Sequence, residues 1–142
     1  ELIMNLAKGQ NPIACSRVCD FIRHEEGSKT VVCMLDDFYD AKETSENIAW
    51  IFDIDFEFLN HESVKQIVLT GVRHQDYHLR LLMAGIPEER IVCCESELDA
   101  ADYVDLTLSD KIYLLYDVYT VDYAHKVHAD LKKKLEKGGN EA

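Results

Sequence analysis

Acidic side chains directly follow an apolar stretch of this 142-residue chain, and their spacing suits them to chemistry. Val31–Leu35 has the β-branched, apolar composition of a strand that is buried on both faces. Asp36, Asp37 and Asp40 come immediately after it. Carboxylates beside a buried strand lose hydration unless a donor or a cation compensates them. We therefore expect residues 36–43, called the acidic loop below, to be the functional part of the chain.

A second polar group follows another strand-like run and begins a helix. Arg73, Asp76 and Arg80 are spaced so that they share the first turns of this helix. Two interpretations are open. In the first, Asp76 caps the first turn while Arg80 pairs with a neighbouring carboxylate. In the second, Arg73 holds the acidic loop in place. Arg73 and Asp76 are therefore binding or structural candidates, as are Asp36 and Asp37.

Metal and nucleotide sites of the common kinds are not indicated. His74 and His78 are four residues apart, but the His-Glu-x-x-His order of a zinc helix is absent, so we expect a polar helix face and no metal. No glycine-rich phosphate loop follows an early strand. The spacing also argues against a phospho-receiver, because too few residues separate the acidic pair from Asp53 for the required helix, strand and second helix.

Charge and composition limit the possible partners. The chain has 27 acidic against 15 basic residues and a net charge of −12, which argues against nucleic-acid binding. No apolar run is long enough to cross a bilayer, and an odd number of cysteines, five, fits a reducing cytoplasm. We expect one domain over residues 1–137 and a flexible tail over 138–142. The first residue, Glu1, suggests that the chain was cut from a longer protein.

Alternating strands and helices must position these residues. Four short apolar runs predict strands, over Val31–Leu35, Gln66–Thr70, Arg90–Cys94 and Lys111–Tyr116. Amphipathic spacing predicts helices over Ala14–Ile22, Asp76–Ala84, Ser96–Val104 and Thr120–Lys137, with Ser96 and Asp99 placed as a capping box. This order predicts a three-layer, Rossmann-like α/β fold whose mostly parallel sheet is flanked by helices. The acidic loop, Gly71–Asp76 and Asp117–Thr120 would then share the edge at the carboxyl ends of the strands.

Two segments together resemble a known family. Ala49–Glu57 (AWIFDIDFE) followed by Thr70–Ile86 (TGVRHQDYHLRLLMAGI) is similar to the C-terminal domain of MurT-like Mur ligases. Leu6-Ala7-Lys8 with Asn11-Pro12 resembles the opening of that domain, and Tyr119-Thr120 resembles its closing Tyr-Thr pair. The matching segments span almost the whole chain in the family's order.

The resemblance implies a function for the longer protein. MurT is the ligase-like subunit of the lipid II isoglutaminyl synthase, which amidates the D-glutamate of a peptidoglycan precursor in the bacterial cytoplasm. The upstream Mur ligase domains of the same chain would use ATP and Mg²⁺, and the glutaminase GatD would supply ammonia. The family's C-terminal domain has a Rossmann-like fold and contacts the glutaminase. The resemblance implies no cofactor for this domain, which alone would be inactive.

The family's C-terminal domain also supplies an Asp that completes a Cys-His-Asp triad with two glutaminase residues. By resemblance, Asp40 takes this role and accepts a hydrogen bond from the partner histidine. Ala41 stands where the family has Gly, and Lys42 and Glu43 replace Arg and Asp, so Asp36 or Asp37 could serve instead. The alternative function is a non-catalytic Rossmann-like module whose acidic edge binds a protein or Mg²⁺.

Overall fold

A five-stranded parallel sheet forms the centre of the described part of the chain, which comprises residues 1–7, 11–35, 49–118 and 120–140 of a computed structural model. The strands are β1 (Leu2–Leu6), β2 (Lys29–Met34), β3 (Val64–Thr70), β4 (Ile91–Cys94) and β5 (Lys111–Tyr116). Their order in the sheet is β1-β5-β2-β3-β4, and every pair is parallel.

Helices connect the strands and cover both faces of the sheet. They are α1 (Pro12–His24), α2 (Ala49–Asp53), α3 (His74–Met83) and α4 (Val121–Asn140), with 3-10 helices at Phe56–Leu59, Glu88–Arg90 and Glu97–Tyr103. The predicted three-layer, Rossmann-like α/β fold is therefore confirmed. None of the described helices is long and apolar enough to span a membrane.

The central position of β2 explains why its residues Val31–Met34 are all apolar. Alternate side chains of a strand point to opposite faces, and β2 contributes to two cores. Val31 and Cys33 pack with α1, α2 and α3 on one side, whereas Val32 and Met34 pack with α4 on the other. Because helices cover each face of the sheet, the side chains of β2 that point to either face are buried.

The sequence predicted four strands, and the described structure has a fifth, β1. This strand pairs with β5 at the edge of the sheet, and its residues are only partly buried. An edge strand has one neighbour, which explains why the side chains of Leu2–Leu6 are less buried than those of β2.

Two local predictions were wrong. Ser96 does not cap a helix with its side chain, and Glu97–Tyr103 is a 3-10 helix; the backbone N–H of Asp99 donates to the Ser96 carbonyl instead. The last helix ends at Asn140, three residues after the predicted end at Lys137, and a flexible tail over 138–142 stays a prediction. The domain boundaries themselves stay a prediction.

Candidate functional site at the carboxyl ends of the strands

The carboxyl ends of β2, β3 and β5 meet at one edge of the sheet, as predicted. Leu35 follows β2 there, Gly71 follows β3 and Asp117 follows β5. Gly71 has a φ of 91°, a conformation that favours glycine and lets the chain turn sharply into α3. The acidic loop begins directly after Leu35, and Asp36, Asp37 and Asp40 lie outside the described residues.

Three side-chain hydroxyls among the described residues donate to successive carbonyls at the end of β2. Thr70 Oγ1 donates to the Cys33 oxygen at 2.8 Å, and Thr120 Oγ1 donates to the Met34 oxygen at 2.7 Å. Tyr77 OH donates to the Leu35 oxygen at 3.0 Å. We call Thr70, Tyr77 and Thr120 the hydroxyl cluster. Its members come from three different elements and are all buried, so they fix the chain where it leaves the sheet.

A reciprocal turn after β5 orients the Thr120 hydroxyl. The backbone N–H of Asp117 donates to Thr120 Oγ1 at 3.0 Å, and the Thr120 N–H donates to Asp117 Oδ1 at 3.1 Å. Because Oγ1 accepts from Asp117, its own proton remains available for the Met34 carbonyl. Asp117 and Thr120 are both fully buried. The turn therefore links the start of α4 to the end of β2.

Arg73 and Asp76 lie together in the first turn of α3. Arg73 Nη1 is 3.9 Å from Asp76 Oδ2, and the Arg73 side chain is only 11% exposed. Asp76 does not cap the helix, because the N-cap position belongs to Arg73 and no side chain makes a capping bond there. That part of the first interpretation is wrong. A contact between Arg73 and the acidic loop stays a prediction, because the loop is outside the described residues.

Arg80 pairs with a neighbouring carboxylate, as the same interpretation predicted. Its Nη2 donates to Glu57 Oε1 at 2.7 Å, and this hydrogen bond holds the pKa of the Glu57 carboxyl below its usual range. The buried guanidinium also donates to the Ile54 carbonyl at 2.8 Å and the Phe52 carbonyl at 3.3 Å. Arg80 thus holds α2 and the following 3-10 helix, a segment that comes after the acidic loop in the chain.

Trp50 is a core residue. It is 7% exposed and its ring meets Tyr77 edge-on, with the ring centroids 6.1 Å apart. Phe56 makes a similar contact with the same tyrosine at 5.9 Å. Tyr77 therefore contacts residues on both sides of segment 36–48, through its hydroxyl on Leu35 and its ring on Trp50.

The histidines of α3 have separate local partners. His74 Nδ1 is 2.8 Å from the Gly71 carbonyl oxygen, whereas His78 Nε2 lies 3.7 Å from Glu88 Oε1. Across the described ranges, no cluster of three or more His, Cys, Asp or Glu residues could hold a metal ion. What the described edge shows instead is a set of buried hydrogen bonds at the end of β2.

The described structure is a Rossmann-like domain, in which helices cover both faces of a parallel sheet. Over 99% of its length, the chain superposes on 27% of the UDP-N-acetylmuramate-alanine ligase MurC from Thermotoga maritima, with a TM-score of 0.57 and 10% sequence identity. At this identity the likeness shows the fold alone.

Sequence comparisons identify the family more narrowly. Residues 8–121 match the MurT ligase C-terminal family, so the chain belongs to that family. The chain is 36% identical over 93 residues to the MurT subunit of the lipid II isoglutaminyl synthase (glutamine-hydrolyzing) of Staphylococcus aureus strains COL and N315. That match covers 65% of this chain and 20% of each relative. The chain thus spans about a fifth of the length of the curated relatives it matches.

Proposed function

We propose that this chain is the C-terminal domain of a longer, MurT-like ligase that amidates the D-glutamate of lipid II with ammonia from a glutaminase partner. The observation that carries this proposal is the family match over residues 8–121, which includes the acidic loop and all three residues of the hydroxyl cluster. The relatives are named as subunits of a glutamine-hydrolysing synthase of lipid II, which supports both the substrate and a GatD-like partner.

In this proposal, Asp40 completes the catalytic triad of the partner. Its carboxylate accepts a hydrogen bond from the histidine of the glutaminase, which fixes the tautomer of that histidine and stabilises its protonated form. An Asp on a loop at the carboxyl edge of the sheet is suited to this role, because such edges are where α/β proteins meet their ligands. Asp36 or Asp37 could supply this carboxylate in place of Asp40.

The upstream Mur ligase domains would bind ATP and Mg²⁺ and activate the D-glutamate carboxylate in the bacterial cytoplasm. We assign no nucleotide contact to the present domain. Its contribution is to hold the acidic loop against the glutaminase, so that ammonia is released only in the assembled complex.

Replacement of Asp40 by Asn tests the proposal in the full-length protein with its glutaminase. Lipid II amidation is measured once with glutamine and once with free ammonium as the nitrogen source. We expect Asp40→Asn to lower the glutamine-dependent rate at least a hundredfold, since loss of a triad Asp costs on the order of 10⁴ in a related triad. The ammonium-dependent rate should change by less than about twofold, because the triad acts only on glutamine.

Asp110→Asn is the matched control, because Asp110 is an exposed aspartate just before β5, at the opposite edge of the sheet. It should leave both rates unchanged. An equal loss of both rates in Asp40→Asn would contradict the triad role. Unchanged rates in the Asn variants of Asp36, Asp37 and Asp40 would favour the non-catalytic interaction module.

A further inference from the structure

We propose that the outward face of helix α3 is a docking surface for the glutaminase partner, and that it takes an apolar surface of that partner with basic side chains at its rim. This inference rests on the proposed function and assigns to it a surface made of described residues only. The face presents four large, exposed apolar side chains, called the α3 stripe below: Val72, just before the helix, and Leu79, Leu82 and Met83 on it.

Helix α3 is apolar on two sides. Tyr77 and Leu81 point into the core and are fully buried. Leu79, Leu82 and Met83 are 53%, 41% and 63% exposed, and at 3.6 residues per turn they fall within an arc of about 100° on the side away from Leu81. A surface helix normally carries polar residues on that side. A group of exposed apolar side chains there therefore indicates a surface that a partner covers.

The exposed charges beside the stripe are negative. Arg80 and His78 flank Leu79 around the helix, since consecutive helical residues are about 100° apart. Each of them holds a glutamate, with Arg80 Nη2 at 2.7 Å from Glu57 Oε1 and His78 Nε2 at 3.7 Å from Glu88 Oε1. The Glu57 and Glu88 side chains are 54% and 75% exposed, whereas that of Arg80 is 7% exposed. A partner surface with lysines or arginines at its rim would complement this charge.

The stripe is continuous with the carboxyl edge of the sheet. Val72 is 60% exposed and follows Gly71, where the chain turns from β3 into α3. Met83 is the last residue of the ten-residue helix, so the stripe extends about 15 Å away from that edge. The proposed function places the glutaminase at the carboxyl edge. One partner can therefore contact both the edge and the stripe.

The sheet order favours a separate subunit as the occupant over the rest of the same chain. In the longer ligase of the proposed function, the other domains precede this one and the chain enters it through β1. Two strands, β5 and β2, separate β1 from β3, which corresponds to about 14 Å between β1 and β3. Helix α3 packs on β3 and β4, at the other end of the sheet.

The dissociation constant of the full-length protein with its glutaminase, measured by isothermal titration calorimetry, tests the proposal. Leu79→Arg and Met83→Arg each replace an exposed apolar side chain by a cation that would repel a basic rim. Arginine has nearly the same helix propensity as leucine and methionine. We expect each variant to weaken binding at least tenfold, a change typical of an apolar side chain central to an interface. Leu79→Gln, which adds no charge, should weaken binding about threefold and keeps the comparison valid if an arginine disturbs the helix.

Phe21→Arg is the matched control. Phe21 is 52% exposed on α1 and borders a surface depression with Asn5 of the edge strand β1. The same arginine is thus introduced on a helix at the other end of the sheet, and the dissociation constant should stay within about twofold of wild type. The ammonium-dependent amidation rate should also stay within about twofold in every variant, which reports that the ligase is folded.

Charge reversal at the rim tests the chemistry of the partner without altering the apolar stripe. Glu88→Lys should slow association with the glutaminase about fivefold at low salt, and the difference should shrink in 0.5 M NaCl, because salt screens the attraction between exposed charges. Asp110→Lys makes the same charge change at the amino edge of the sheet and should have a smaller effect. An equal effect of the two substitutions would contradict a basic rim that faces α3.

The possible outcomes separate this inference from the proposed function. If the arginine variants of the stripe bind the glutaminase as tightly as Phe21→Arg does, the inference is overturned, while a selective loss in Asp40→Asn would leave the proposed function intact. Unchanged binding with loss of a homodimer in sedimentation would assign the stripe to a second copy of the chain. Unchanged binding with a lower ammonium-dependent rate would assign it to another domain of the same chain, and both results overturn the inference. If wild-type protein does not bind the glutaminase, the proposed function itself fails.

Discussion

Arg80 should stabilise the domain mainly through backbone carbonyls, and only slightly through its ion pair with Glu57. The substitution Arg80→Met keeps much of the aliphatic packing but removes the bonds to Phe52, Ile54 and Glu57. The Ile54 carbonyl bond is buried, so its loss leaves an acceptor without water, which costs about 1–3 kcal/mol. With the weaker bonds included, we expect the free energy of unfolding to fall by about 3 kcal/mol.

The two partners of the ion pair should therefore behave very differently. The Glu57 side chain is 54% exposed, and exposed pairs contribute about 0–1 kcal/mol. Glu57→Gln should lower the free energy of unfolding by less than about 0.5 kcal/mol, because the amide oxygen can still accept from Arg80. A further control is Arg90→Met, since Arg90 makes one long bond of 3.4 Å to the His61 carbonyl.

Urea unfolding at pH 7, followed by the fluorescence of Trp50 and by circular dichroism, measures these differences. The slope of the free energy against urea should be the same in all variants, so that the midpoints report stability. A loss of about 3 kcal/mol would lower the melting temperature by roughly 10 °C in a chain of this size. Equal losses in Arg80→Met and Glu57→Gln would refute the assignment of the stability to the carbonyl bonds.

Two further predictions follow from pKa shifts. Arg80 lowers the pKa of Glu57 below its ordinary 4.5, so this pair contributes stability above pH 4.5 that is lost as the pH falls through the lowered value. When wild type and Glu57→Gln are titrated with acid, the free energy of unfolding should therefore decline less steeply in the variant. Identical curves would contradict the shift. Burial raises the pKa of Cys15 to about 12 and that of Cys19 well above its usual value. Iodoacetamide at pH 8 should therefore alkylate the half-buried Cys93 first, which peptide mass spectrometry can measure. Alkylation of Cys15 or Cys19 as fast as that of Cys93 in the native protein would contradict this prediction.

The architecture was predictable where the physical signal is local. Val31–Leu35 indicated a strand covered on both faces, and β2 is that strand, because all six of its residues are buried at the centre of a parallel sheet. The helix predicted over Ala14–Ile22 is α1, which extends over Pro12–His24 because the Asn11 side chain accepts from the Ala14 N–H at its start. The shared carboxyl edge followed from the parallel order of the elements.

The hydrogen bonds at the end of β2 were not predictable from the sequence. A hydroxyl that donates to a backbone carbonyl leaves no trace in spacing or composition, and Thr70 and its Cys33 acceptor are 37 residues apart. In the sequence, the Tyr119-Thr120 pair carries only a family resemblance, which does not predict the hydrogen bond from the Thr120 hydroxyl to the Met34 carbonyl. The carbonyl partners of Arg80 were missed for the same reason, although its carboxylate partner followed from charge.

The most direct test of the central claim is the rate of glutamine hydrolysis by the partner glutaminase, titrated with full-length protein in the absence of lipid II. The account predicts that wild-type protein raises this rate to a plateau, whereas Asp40→Asn binds with the same affinity and leaves the rate near that of the glutaminase alone. A variant that binds and activates the glutaminase as well as wild type does would contradict the claim that this domain completes the partner's triad through Asp40.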